Sequence, residues 1–353
     1  MTNPIYEQPA EGGSAESLST IGSGEEGAWY MERHGRQFHV MDALWPYPHD
    51  EDELDRQHLQ HAMLKMVVGR NFVGPVPVIL ANTPQRPVKR VLDVGRQAQS
   101  LHRLRNGSLE MAQMFPHVHF VGVDLVPAAP EEPPDNVCLL VATEERTDAQ
   151  FELYDIEKDG VRNLTASMDV VHCRFAATFM RSRSALVAEI ARVLRPGGMV
   201  ILGEMEYSIT TASGRNLAAE APDFFQWFET IRASIRTRLG LSMDTPQRLP
   251  QILHEKGFRR ITVKEHNIPI GAWTGNPQGN QIGELNRQVW LEFVNSTRPM
   301  LLDVRPNEQQ VDRLVAGVRT LLEELPQGVR LLSRYHTIWA LKGQSRLSGE
   351  QEL

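Results

Sequence analysis

VLDVG at residues 91–95 and VGVDL at residues 121–125 decide the fold. Each is a short apolar run ended by an acidic residue, and the first adds a glycine, which is how a parallel strand presents its C-terminal edge to a ligand. Between them lies the helix-like SLEMAQMFP of residues 108–116. Strand, helix and strand in succession predict two neighbouring parallel strands joined by a right-handed crossover.

Three more apolar segments, residues 151–154, 168–172 and 199–203, extend this sheet to five strands. The last two flank SALVAEIARVLRPGG, which sets Leu186, Ile190, Val193 and Leu194 on one helical face before a Pro-Gly-Gly stop. Residues 208–253 read as helical and aromatic. Strand candidates at 260–264 and 336–342 flank a helical stretch near 308–324. Upstream, DEDELDRQHLQHAMLKMVV (50–68) opens on acids suited to a helix N-terminus and spaces Leu54, Leu59, Met63 and Met66 helically. The expected division is a tail to residue 28, an N-terminal helical extension over 29–84, an α/β core over 85–207, a helical cap over 208–257, the rest of the fold over 258–342, and a polar tail over 343–353.

The chain has 353 residues, 41% hydrophobic and 23% charged, enough for a substantial core. A net charge of -7 without a Lys/Arg cluster argues against a nucleic-acid groove. Two cysteines, Cys138 and Cys173, make neither a disulfide framework nor a zinc site. Among the histidines, only His58 and His61 share a helical face, and no carboxylate completes a metal site. The absence of a leader and of an apolar run of about 20 residues predicts no membrane association and a cytoplasmic or nuclear location.

Read together, GRQFHVMD (35–42), VLDVG, VGVDLVP (121–127), PPDNV (133–137), FELYDIE (151–157), MDVVHCRF (168–175), LRPGGMVILGE (194–204) and IPIGAW (268–273) resemble, in order and wording, the LaeA-like family of fungal class I methyltransferases. The likeness runs from about residue 29 to 342. It implies a Rossmann-like, mostly parallel seven-stranded sheet with helices on both faces and an antiparallel final strand. It also implies S-adenosylmethionine (SAM) over the strand ends and either a small-molecule acceptor or a regulatory protein partner.

Asp124, ending the second strand, suits the ribose hydroxyls. Asp93 either faces the sulfonium end of SAM or bonds loop amides, with Gly95 beside it. The resemblance assigns Asp155 and Ile156 to the adenine pocket. His172, Arg174 and Phe175 stand at the mouth of the fourth strand, where ligands of open sheets bind. His172 is either a base for an acceptor hydroxyl or a structural hydrogen-bonder. Glu204 either faces the acceptor or is solvated. Phe224, Phe225, Trp227, Phe228 and Trp273 either roof a pocket or fill the core.

Two stretches depart from the family. GRQAQSLHRLRNG (95–107) replaces its glycine loop, and the separation of 29 residues from Gly95 to Asp124 exceeds the usual spacing of about 20. The expectation is a poorly packed loop over 96–106 that partly blocks the SAM pocket and weakens its binding. CLLVATEERTD (138–148) separates two motifs that the family joins, and reads as a surface loop. Each interruption is either a true divergence or translated intron sequence. A nicotinamide oxidoreductase shares the strand, loop and acid, but the loop after VLDV carries no G-x-G-x-x-G.

Overall fold

The run KRVLDV forms β3 (Lys89–Val94), with Val91, Leu92 and Val94 buried. A parallel strand is covered on both faces, and a continuous apolar run fits that requirement. A computed structural model describes residues 30–40, 45–84, 86–94, 108–123, 137–139, 160–161, 165–305, 307–326 and 328–343. The helix α3 (Ser108–Met114) precedes β4 (Val118–Val123), which pairs in parallel with β3, Leu92 opposite Val121. Beyond β4 lies β5 (Val137–Leu139). On the other side of β3 come β6 (Met168–Arg174) and, after α4 (Arg183–Val193), β7 (Leu194–Thr211), both parallel to it. The chain then forms β8 (Phe258–Ile270) and β9 (Leu331–Lys342), and β9 inserts antiparallel between β7 and β8. The order is β5-β4-β3-β6-β7-β9-β8, the expected seven-stranded, mostly parallel sheet.

Alternation along the strands feeds two cores. Val91, Val170 and Ile201 meet Leu80 of α2 (Val76–Leu80) and Met111 of α3 on one face. Leu92, Val171 and Leu202 meet Leu186 and Ile190 of α4 and Leu249 and Leu253 of α6 (Thr245–Glu255) on the other. A third, aromatic core includes Phe224, Trp227 and Phe228 of α5 (Pro222–Leu239), Trp290 and Phe293 of α7 (Pro277–Val304), and Val311 and Val318 of α8 (Glu308–Glu324).

Three expectations change. The N-terminal extension opens as a hairpin, β1 (Tyr30–Arg33) with β2 (Arg36–His39), because His34 and Gly35 both hold positive φ, +52° and +73°, as a tight two-residue turn requires. The helix there is α1 (Glu51–Val68), capped by Asp50, whose carboxylate accepts from the Glu53 amide, and closed by Gly69 at φ +80°. Such a cap contributes about 1 kcal/mol. At the sheet edge, Val137–Leu139 form a strand where a surface loop begins in the sequence reading, because pairing with residues 120–122 satisfies their backbone groups. The strand expected at 151–154 lies outside the described residues. Finally, β7 runs on to Thr211, into the stretch expected to be helical, because β9 continues to pair with it as far as Leu331.

Candidate functional site

The strand order reverses between β3 and β6, and such a switch point opens a crevice beyond the C-terminal strand ends. Two sequence-predicted residues meet there. Asp93 and His172 are register partners, and Asp93 Oδ1 lies 2.8 Å from His172 Nδ1. A half-buried carboxylate held at the mouth of the first parallel strand fits the amino-acid end of SAM, whose ammonium needs an acceptor. Gly95, Asp124, Asp155, Ile156 and the loop over 96–106 lie outside the described residues.

His172 and Arg174 line a cavity between α1 and the sheet, with His61, Lys65 and Arg70. Arg174 Nη1 donates to His61 Nδ1 at 2.9 Å, which leaves the imidazole proton on Nε2. Burial and the Arg174 charge together hold His61 down at about 3. It is therefore neutral over the working range.

Gly203 and Glu204 are consecutive on β7 and line different cavities. Gly203 leaves room for Tyr335, whose hydroxyl would stand 2.0 Å from an added Cβ. Glu204 turns into a cavity in which eight of the sixteen lining residues are aromatic. It is 1% exposed, accepting from the Ala177 amide at 2.9 Å and from Thr178 Oγ1 at 2.8 Å. Burial raises its carboxyl to about 7 against the pull of those two bonds, of the Thr178 amide and of the Arg183 charge. Phe175 lines the same cavity at φ +59°, a conformation that costs a non-glycine residue roughly 1–2 kcal/mol, and its amide bonds the Gly203 carbonyl at 2.9 Å.

Glu206 is also at the cavity wall, but His336 Nε2 at 3.0 Å, Ser208 and Arg334 hold it at about 2. With Glu265 and His336 it makes an acid-histidine cluster, and Arg334 already supplies the positive charge.

Of the expected aromatics, Phe228 lines the cavity; Phe224 and Trp227 are core; Phe225 is exposed; Trp273 bonds the Ile270 carbonyl elsewhere. The rest of the wall was not anticipated. Trp45 and Tyr47 come from the segment between hairpin and α1, and Asn286, Trp290 and Phe293 from α7. No element was expected over 277–304, although Leu285, Val289 and Phe293 recur every four residues, a helical signal. Arg56 reaches the wall from α1 with its charge committed to the fully buried Glu53 through bonds of 2.8 and 2.6 Å, and Ser296 donates to the same carboxylate. Tyr47 and Tyr207 share a hydroxyl hydrogen bond of 2.8 Å.

Residues 106–202 match a methyltransferase domain family. The chain is 28% identical to the secondary metabolism regulator laeA of Coprinopsis cinerea over 80% of this chain and 67% of that protein. It is 27% identical to the methyltransferase pytC of Aspergillus terreus over 82% of each. The chain thus resembles the LaeA-like class I methyltransferases in sequence. A methyltransferase domain of this kind takes SAM as its cofactor. Among solved structures, phosphoethanolamine N-methyltransferase 2 of Haemonchus contortus with SAM is 17% identical, with a TM-score of 0.41 over 82% of this chain and 57% of that one. No helix among the described residues is long and apolar enough to cross a membrane.

Proposed function

We propose that this LaeA-like protein transfers a methyl group from SAM to a hydroxyl of a small organic acceptor held in the aromatic cavity. The observation that carries the reading is Glu204, a buried carboxyl with a raised pKa in an otherwise largely aromatic wall at a strand end. SAM, when bound, supplies an electrophilic methyl on a positively charged sulfur. The chain aligns the acceptor with it, keeps out water and takes up a proton.

In this reading Asp93, Gly95, Asp124, Asp155 and Ile156 hold the cofactor, Asp124 at the ribose and the last two at the adenine. Arg174 lines the basic cavity on the cofactor side, and Phe175 and the cavity rings position the acceptor. Glu204 receives the hydroxyl proton at a carboxylate oxygen. His172 faces the other cavity and is bonded to Asp93, so its part is to orient that carboxylate rather than to act as the base.

Isothermal calorimetry with SAM and a methyl-transfer assay test the proposal. Glu204→Gln should lower turnover by about 10²–10⁴-fold, the usual worth of a general base, with SAM affinity unchanged. Asp124→Ala should weaken SAM binding by about 1–3 kcal/mol. Undiminished turnover in Glu204→Gln rules out its role as base. A second reading follows from the regulator name carried by the Coprinopsis relative: the chain acts through protein contacts. Under that reading both variants keep the cellular effect while losing transfer.

A further inference from the structure

The hydrogen-bonding capacity left in the aromatic cavity restricts its occupant further than fold or family does. Asn286 is 1% exposed and lies on the wall. Its Nδ2 donates to the Pro269 carbonyl at 2.9 Å and to Ser333 Oγ at 3.0 Å, which fixes the orientation of the amide. Its Oδ1 has no partner among the described residues. A buried acceptor left unpaired costs free energy that a ligand donor would recover. Glu204 is a second acceptor on the same wall: the Ala177 amide and the Thr178 hydroxyl and amide donate to it, and a carboxylate has about four lone-pair sites.

Positive charge on this wall is already spent. The Arg56 guanidinium belongs to Glu53, and Glu206 pairs with Arg334 and hydrogen-bonds His336. A carboxylate or phosphate ligand would therefore enter without a counter-charge and against Glu204. The remaining surface is largely ring faces and edges, among them Tyr207 and Phe228, nearly parallel at 10°, and Trp290 and Phe293 at 86°. Such walls stack and edge-pack against a flat π-system.

We propose that the acceptor is an uncharged, planar hydroxyarene carrying at least two hydroxyl groups, one donating to Glu204 and the other to Asn286 Oδ1. This rests on the reading of the cavity as the acceptor site of a methyltransferase. The reaction then balances as follows: the oxygen lone pair at the Glu204-bound hydroxyl forms the new C–O bond, the methyl–sulfur bond breaks with its electrons staying on sulfur, and the phenolic proton passes to the Glu204 carboxylate. The products are an aryl methyl ether and S-adenosylhomocysteine.

The test uses the full chain, saturated with S-adenosylhomocysteine, and measures binding rather than turnover. Calorimetry compares 1,3-dihydroxynaphthalene with 1,3-dimethoxynaphthalene, 1-naphthoate, 1-naphthylmethylammonium and the saturated alcohol 2-decalol. The dihydroxy probe should bind at least about tenfold more tightly than each of the others, since each lacks either both donors, the neutral charge or the planar ring. Asn286→Leu, checked for an unchanged far-ultraviolet spectrum, should lose about tenfold for the dihydroxy probe and little for 1-naphthol. If Asn286→Leu fails to fold, the ligand series on the unaltered chain decides alone. Equal or tighter binding of the naphthoate, the ammonium or the decalol overturns the inference. Binding of the dihydroxy probe without methyl transfer from SAM would sink the methyltransferase reading and leave this one standing, whereas transfer confined to carboxylates or amines would do the reverse.

Discussion

Single residues carry the sharpest consequences. Burial moves the Glu204 carboxyl from 4.5 in an open chain to about 7 in the fold. A raised carboxyl holds its proton more tightly when folded, so its stabilising contribution is complete below pH 4.5 and is lost as pH climbs through 7. The loss is on the order of 3 kcal/mol. Denaturant unfolding between pH 4.5 and 8 should show that decline in the native chain and a flatter profile in Glu204→Gln; parallel profiles would mean that the carboxyl is not buried as described. Beside it on β7, a Cβ at Gly203 would stand 2.0 Å from the Tyr335 hydroxyl and 3.0 Å from the ring carbon bearing it. Gly203→Ala should thus cost about 1–3 kcal/mol through overpacking, with partial recovery in the double variant with Tyr335→Phe. Thermal unfolding of the two variants measures both effects. Neither residue is marked by its letter alone: a glycine and a glutamate in MVILGE are ordinary until β9 is laid beside them.

At the scale of elements, the base of the sheet is pinned by one acid. Asp169, fully buried at the start of β6, takes the Arg90 amide of β3 at 2.9 Å, lies 3.5 Å from the buried Lys89 ammonium and meets Arg195 at the start of β7. Three adjacent strands therefore share one carboxylate. Asp169→Ala strands the Lys89 charge away from water and should cost about 3–5 kcal/mol, read as a drop in the denaturant midpoint. A loss below 1 kcal/mol would show that the cations relax to other partners. The strands themselves were legible: VLDV, VGV, MDVVH and MVILG are apolar runs of strand length, and each forms part of a described strand. The helix over 277–304 was not read, because Gly279, Gly283 and Pro299 interrupt its text. In the fold Gly283 is what lets α7 approach the Gly271 carbonyl, which an added Cβ would meet at 2.1 Å.

For the whole molecule, the N-terminal segment and the helices beyond the sheet close over the same cavity. The hairpin is tied down through Asp303 near the end of α7, which binds Arg33, His34 and Arg238. Asp303→Ala should speed amide exchange in residues 30–39 and leave β3 and β6 protected, as hydrogen exchange by mass spectrometry will read. Equal exchange in both regions of the variant and the native chain would show that packing of Phe38 and Trp45 holds the segment without the ion pairs.

The sequence by itself determined the sheet, because burial on both faces demands continuous apolar runs and a parallel crossover demands the alternation of strand and helix. It also carried the family likeness, through motifs whose order spans nearly the whole chain. Tertiary structure alone decided how His172 and Glu204 divide between the two cavities and that Asp93 meets His172, since period-two alternation and the register of β6 against β3 and β7 settle which way each points. The acceptor cavity was likewise invisible along the chain. Trp45, Glu204 and Asn286 stand far apart in sequence, and only packing of the N-terminal segment, β7 and α7 brings them to one wall and leaves one of its acceptors unpaired.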